Sequence, residues 1–175
     1  MRDENWLADL DRYSSRALLR EQGLWATAVY RFGRRNDLRP DSFVKRARNR
    51  LYWAMFRITE TLLGISIPKS VDVGPGLRIW HFGGIFIHER VRIGAHCTLR
   101  QGVTLGNRHA EDDVPVIGDN VDFGAYSQVL GRVRIGNNCR IGAMSLVLTD
   151  VPDGATAVGV PARIVMPQVQ ETTDA

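Results

Sequence analysis

The chain has 175 residues, 44% of them hydrophobic and 24% charged, with a net charge of +4, a length that suits one domain with a substantial core and a short appendage. Only two cysteines, Cys97 and Cys139, are present and no stretch reads as a secretory signal, which excludes a disulfide framework and points to a reducing, cytoplasmic setting. No uninterrupted apolar run reaches the roughly 18 residues that a membrane-spanning helix needs, and 17 glycines, above the average usage of about 7%, predict repeated tight turns.

Residues 1–65 are predicted to be an α-helical N-terminal region. A first helical stretch is expected from Trp6 to Arg34. A second follows, because Phe43, Val44, Ala47, Leu51, Met55, Ile58 and Leu62 recur at three or four residues. Pro40, Asp41 and Ser42 offer a turn and a capping side chain at its start, and Gly64 before Pro68 should end it. Arginines interleave with apolar residues over 31–57. No recognisable nucleic-acid module accompanies them, so nucleic acid is not an expected partner. Two readings of residues 42–62 stay open. The apolar stripe packs on the rest of the protein or on another subunit, or the basic, aromatic-rich helix lies peripherally in an anionic lipid interface.

From Ile67 the period changes to six. Val73, Ile79 and Ile85 are six apart; a shift of two gives Ile87, Ile93, Leu99 and Leu105; after an interruption come Ile117, Phe123, Val129, Ile135, Ile141 and Val147. Neither a helix at 3.6 nor an alternating strand at 2 produces this spacing. Small or apolar residues sit two positions earlier, as at Cys97, Val121, Ser127, Val133 and Cys139, so both cysteines read as core. A repeat this short cannot bury its own apolar side, whereas stacked copies can. The expected architecture is therefore mainly β: a parallel β-helix over 66–166, after the helical region 1–65 and before a flexible tail, 167–175.

Three segments narrow the reading. Ile79-Trp80-His81-Phe82-Gly83-Gly84-Ile85, Gln101-Gly102-Val103-Thr104-Leu105-Gly106 and Val158-Gly159-Val160-Pro161-Ala162-Arg163-Ile164 resemble the histidine-bearing segment, the stretch before the active-site loop and the terminal coil of the hexapeptide-repeat acetyltransferases, in the branch that holds the serine acetyltransferases and their polysaccharide-biosynthesis relatives. The resemblance implies a left-handed helix of triangular section, a homotrimer with active sites between subunits, a dimer of trimers in some members, and acetyl-CoA as co-substrate without a metal. It implies His81 as general base, a role that suits an imidazole able to accept and then donate a proton near neutral pH. Gly124, Ala125, Gly142 and Ala143 match turns that receive the pantetheine arm, and Ala162 and Arg163 match the end of that groove. His109, with Arg108 beside it, lies in the polar interruption Asn107–Pro115, where the family places a second active-site histidine directly before proline; here Val114 precedes Pro115.

The sequence also departs from the serine acetyltransferase pattern. Trp80 and Ser66 stand where that pattern has aspartates, and the helical region is shorter than the family's helical domain. An unpaired ammonium group on the substrate would then be costly, while an aromatic Trp80 suits a carbohydrate face. A sugar or glycan-precursor hydroxyl is therefore the expected acceptor, with L-serine as the alternative. Glu89, Glu111, Asp112 or Asp113 would have to replace the carboxylate that orients the base. Two other classes compete: a zinc carbonic anhydrase on the same helix, which needs three converging histidines, and a non-catalytic trimeric scaffold.

Overall fold

The computed structural model describes residues 4–14 and 16–167; the expected tail, 168–175, lies outside them. From Ile65 the chain winds as a left-handed parallel β-helix with three faces. The first sheet stacks β1 (Ile65–Ser66), β4 (Ile85–Ile87), β7 (Thr104–Gly106), β10 (Gln128–Leu130) and β13 (Leu146–Val147). The second stacks β2 (Asp72–Val73), β5 (Arg92–Ile93), β8 (Val116–Ile117) and β11 (Arg134–Ile135). The third stacks β3 (Arg78–Ile79), β6 (Thr98–Leu99), β9 (Asp122–Phe123), β12 (Arg140–Ile141), β14 (Thr156–Gly159) and β15 (Ala162–Val165), the last antiparallel to β14.

All thirteen residues of the six-residue register are buried along the axis, together with Cys97 and Cys139. At about 1.5–3 kcal/mol for each fully buried aliphatic side chain, this column supplies the driving force for winding. Register pairs show where the coils are irregular. Phe86 lies against Thr104 and Gln128 against Leu146, so a regular coil takes 18 residues. Ile65 lies against Ile85, two residues more, and Thr104 against Gln128, six more. The first excess sits in the turn that carries His81, between β3 and β4, and the second in the loop 107–115 between β7 and β8.

The helical region is organised differently from the expectation. In place of one early helix there are three, α1 (Glu4–Asp11), α2 (Ala17–Arg20) and α3 (Gln22–Asp37), and together they close the first coil. Strands at the end of a solenoid present unpaired backbone groups, and side chains meet them here. The Tyr30 hydroxyl donates to Val71 O at 2.8 Å and accepts from Val73 N at 3.2 Å. Arg31 donates to Val73 O and Gly74 O at 2.9 and 2.6 Å, while Asp9 accepts from Leu77 N at 2.8 Å. The Tyr13 hydroxyl takes Ile79 N at 3.0 Å, and Arg12 donates to Gly76 O at 2.6 Å. Asp9 and Arg31 also pair with each other at 2.7 Å, both almost fully buried. Burial pushes the Asp9 carboxyl above its ordinary range, and the Arg31 guanidinium pulls it back. The break after α1 is what frees Arg12 and Tyr13 to reach β3. Helix α3 comes so close that a Cβ at Gly23 would stand 2.7 Å from Ile79.

Helix α4 (Phe43–Ile58) starts as expected, with the Ser42 hydroxyl accepting from Lys45 N at 3.1 Å, and runs into a π-helical turn, Thr59–Leu63, capped by Gly64 in the left-handed region. Its orientation corrects the sequence reading. The side buried against the chain carries Tyr52 and Phe56, with the Tyr52 hydroxyl accepting from Lys69 N. Most of the regular apolar stripe points outward: Phe43, Val44, Leu51, Ile58 and Leu62 are 52–79% exposed. Packing on the rest of this chain is thus limited to the end of that stripe, where Met55, Ile58 and Leu62 line an apolar groove with Trp25 and Val29 of α3. No helix of the described residues is long and apolar enough to cross a membrane.

Removing one member of a buried ion pair typically costs about 3–5 kcal/mol, so Arg31→Met should lower unfolding free energy by that order in a denaturant titration followed by circular dichroism. The cysteines give a second measurement. Burial pushes the Cys97 thiol up to about 11 and raises Cys139 in the same direction, so neither should react with a thiol reagent at pH 8 until the protein is unfolded.

Candidate active site

Three corners join the sheets, and the candidate residues divide between two of them. His81 lies in the turn from β3 to β4, at the corner between the third and first sheets. Above it on the same corner come Gln101 and Gly102, then Gly124, Ala125 and Tyr126, then Gly142, Ala143 and Met144. Backbone hydrogen bonds join these turns into one column: Gly102 N to Gly83 O at 2.9 Å, Tyr126 N to Gln101 O at 2.8 Å and Met144 N to Ala125 O at 2.9 Å. The turns stack so tightly that a Cβ on Gly124 would stand 2.7 Å from Ala143 Cα. The column ends at the β14–β15 hairpin, where Val158 pairs with Arg163 and Gly159 with Ala162 around a cis Val160–Pro161 bond. Val158 abuts Gly142, and a groove of about 490 Å³ opens between Val158 and Arg163.

His81 is exposed, and its imidazole makes no hydrogen bond among the described residues, so both ring nitrogens face solvent or an incoming ligand. Trp80 is 51% exposed. One face of its indole is held by the Arg78 guanidinium, 4.3 Å from the ring, which on its other side lies 3.8 Å from Tyr13. Arg78 is itself fixed by Glu21 at 2.8 Å and by Arg12 O at 2.8 Å. The tryptophan is therefore a supported plate beside His81. Phe82, Tyr126, Met144 and Val160, each at least half exposed, continue an apolar rim along the same corner.

The second candidate group lies elsewhere. His109 and Arg108 are on the loop that leaves β7 at the corner between the first and second sheets, so in one chain the first sheet separates them from His81. Both are exposed. The loop's carboxylates are already engaged: Glu111 pairs with Arg90 at 3.4 Å, Asp112 with Arg132 at 3.0 Å, and Asp113 accepts from His109 N at 3.3 Å and from Arg132 N. They brace the loop between the coils below and above it, and none of them stands at His81; Glu89 follows β4 on that same distant corner. His88 shares the corner and accepts from Arg90 N, while His96 turns a corner between the second and third sheets at φ 57°. The four histidines are thus spread over all three corners of a single chain, and no group of three or more potential metal ligands occurs among the described residues.

Sequence reasoning passed over two groups near His81. Gln101, in the coil directly above, has a buried side-chain oxygen with no partner; its neighbours, read as a motif, drew attention away from the side chain. Glu60 sits in the π-helical turn and accepts from the Ser66 hydroxyl at 2.9 Å, while its other oxygen pairs with Arg57 at 3.1 Å. Ser66 lies beside Phe86 in the strand pair that follows the His81 turn. The only sequence signal was a lone acid in an otherwise apolar and basic helix.

Comparison with known proteins gives a consistent result. A family profile described as bacterial transferase hexapeptide (six repeats) matches residues 115–149. A serine acetyltransferase of Helicobacter pylori is 37% identical over 155 residues, 85% of this chain and 84% of that protein. One from Synechococcus elongatus is 40% identical over 110 residues, 62% of this chain and 45% of that protein, so the chain spans about half the length of such relatives. A solved serine acetyltransferase in complex with CoA superposes with a TM-score of 0.75 at 31% identity, covering 92% of this chain and 66% of that one.

Exposed ion pairs contribute about 0–1 kcal/mol each, so Arg132→Ala should leave the melting temperature within a few degrees of wild type. It should nonetheless speed amide hydrogen exchange across 107–115, because the Asp112 pair is lost and only the Arg132 N–H to Asp113 bond still ties the loop to the coil above.

Proposed function

Because this chain belongs to the serine acetyltransferase family of hexapeptide-repeat proteins, we propose that it transfers an acetyl group from acetyl-CoA to an acceptor hydroxyl with His81 as general base. The observation that carries the reading is the corner column: a free imidazole opens it, paired small residues line it in successive coils, and it runs to Arg163. An extended thioester arm needs such a wall, because peptide groups are accessible only where no bulky side chain intervenes. The Gly124-Ala125 and Gly142-Ala143 turns receive the arm, the apolar rim flanks it, and Ala162 with Arg163 holds the phosphate-bearing end.

In the reaction His81 takes the acceptor's hydroxyl proton as its oxygen attacks the thioester carbonyl. The carbon–sulfur bond then breaks, and the imidazolium returns that proton to the departing thiolate, so charge and protons balance. Glu60 brings a carboxylate to Ser66, beside the strand that His81 leads into, but its two oxygens are held by Ser66 and Arg57, so none of the described carboxylates is assigned the role of the absent aspartates. His109 and Arg108, at the far edge of the first sheet, reach a His81 site only from a neighbouring subunit. This supports a homotrimer with sites between chains, and the exposed rim of Phe82, Tyr126 and Met144 is the kind of surface such a neighbour covers.

For the acceptor, the relatives favour L-serine over the sugar hydroxyl expected from the sequence, since those compared are serine acetyltransferases. A sugar remains the second reading on one specific observation: Trp80, with one face packed on Arg78, stands where a carboxylate would be needed for the serine ammonium, and its free face suits a pyranose ring.

Thiol release from acetyl-CoA, measured against L-serine, simple sugars and nucleotide sugars, tests both levels. His81→Ala should lower kcat by about 10²–10⁴-fold, the usual worth of a positioned general base, with little change in KM for acetyl-CoA. Unchanged turnover in that variant would remove the proposed base. Turnover confined to serine establishes the first acceptor, and turnover confined to sugars the second; in the latter case Trp80→Ala should raise the sugar KM. Replacing Ala143 with Leu should raise KM for acetyl-CoA by tenfold or more while leaving the melting temperature close to wild type, because it narrows an exposed groove and leaves the core unchanged.

A further inference from the structure

The outward face of α4 has a use that acetyl transfer does not explain. Projected at 100° per residue, Phe43, Val44, Ala47, Leu51, Ala54 and Ile58 fall on one continuous exposed stripe, which Leu62 extends into the π-helical turn. Arg46, Arg50 and Arg57 form a second exposed row along one flank, with Trp53 at its outer edge, 45% exposed. Leu38, 88% exposed, and Arg39 continue the same combination at the preceding turn. Between residues 43 and 63 there are five basic residues and one acidic one, Glu60, whose carboxylate is taken by Arg57 and Ser66. The side chains of Arg46 and Arg50 make no ion pair or hydrogen bond among the described residues. An exposed apolar stripe of this length is itself unusual for a soluble surface.

We propose that α4 and its π-helical extension form a docking surface for an anionic lipid bilayer, with the apolar stripe at the acyl boundary and the arginine row at the headgroups. Charge selects this occupant. Arginines flanking an apolar stripe bury their stems beside it and keep their guanidinium groups among phosphates. A second copy of the same helix meets a penalty: pairing two stripes antiparallel about a two-fold axis brings both arginine rows to the same side, like charge against like. The helix also stands in the outer layer of the N-terminal region, packed on α3, which in turn covers the first coil, so contact with a plane requires no rearrangement of the solenoid. The acetyl-transfer column is on a solenoid corner, and the apolar stripe and arginine row of this surface are not among the residues that line it.

The test is vesicle flotation of the full chain. Wild type should float with vesicles containing about a third phosphatidylglycerol at low salt, and stay in the soluble fraction with pure phosphatidylcholine. Each basic residue at an anionic leaflet contributes about fivefold in partitioning, so Arg46→Glu with Arg50→Glu should lower the bound fraction at least tenfold, as should Leu51→Glu with Ile58→Glu. A control reversal of charge on the solenoid, Arg92→Glu with Arg140→Glu, should retain binding and exclude generic basicity. All variants should keep the wild-type circular dichroism spectrum, since every altered residue is exposed. Failure of folded wild type to float with either vesicle would overturn the proposal, as would equal binding by the Arg46→Glu, Arg50→Glu variant. So would sedimentation velocity showing that Leu51→Glu halves the mass of an assembly that does not bind vesicles, which would assign the stripe to a second copy.

Discussion

Every coil of this solenoid hydrogen-bonds only to the coil above and the coil below, so the first coil has a row of backbone groups with nothing beneath it. That unsatisfied edge governs the arrangement of the N-terminal third. Tyr13, Tyr30, Arg12, Arg31 and Asp9 reach it from three directions and satisfy groups from Val71 to Ile79. The buried Asp9–Arg31 pair is the centre of the device, because each partner holds backbone atoms of the coil as well as the other's charge. Burying two charges is costly unless every donor and acceptor is used, and here the solenoid edge supplies the remaining partners. At the opposite end the antiparallel β15 covers β14, so the two ends solve one problem in different ways.

The candidate site residues His81, Arg108 and His109 sit where the regular winding is interrupted. An 18-residue coil has no room for extra residues inside a packed axis, so any surplus leaves at a corner. Two extra residues produce the His81 turn, and six produce the loop that carries Arg108 and His109. The surplus segments leave at different corners, and the first sheet lies between them. A site that used both would therefore have to be shared between chains, by the geometry of the triangle itself.

The outer surfaces of the molecule are equally segregated. The corner above His81 is lined by glycine and alanine and rimmed by exposed aromatic and aliphatic groups, a character that suits an extended, partly apolar ligand. The α4 face combines apolar residues with arginines, Arg57 paired with Glu60 and Arg46 and Arg50 without a partner among the described residues. The first can be saturated by a small molecule and a neighbouring subunit. The second has the breadth and charge of the proposed bilayer-docking surface.

Period six was readable in the sequence because each coil places the same positions at the axis, and all thirteen of them are buried; the cap at Ser42, the core cysteines and the family likeness were legible for the same reason, being local or periodic. The sequence could not tell which side of α4 faces the protein. Its most regular apolar stripe is exposed, because Tyr52, with a hydroxyl that must meet Lys69 N, and Phe56 fit the chain better than the aliphatic row. Nor did it reveal that Glu60 joins Ser66, that Trp80 rests on Arg78, or that the loop carboxylates are bound to Arg90 and Arg132. Those contacts link residues brought together by winding or by docking of the helices, and linear spacing carries no record of a partner one coil away once the coil length itself varies from 18 to 24 residues.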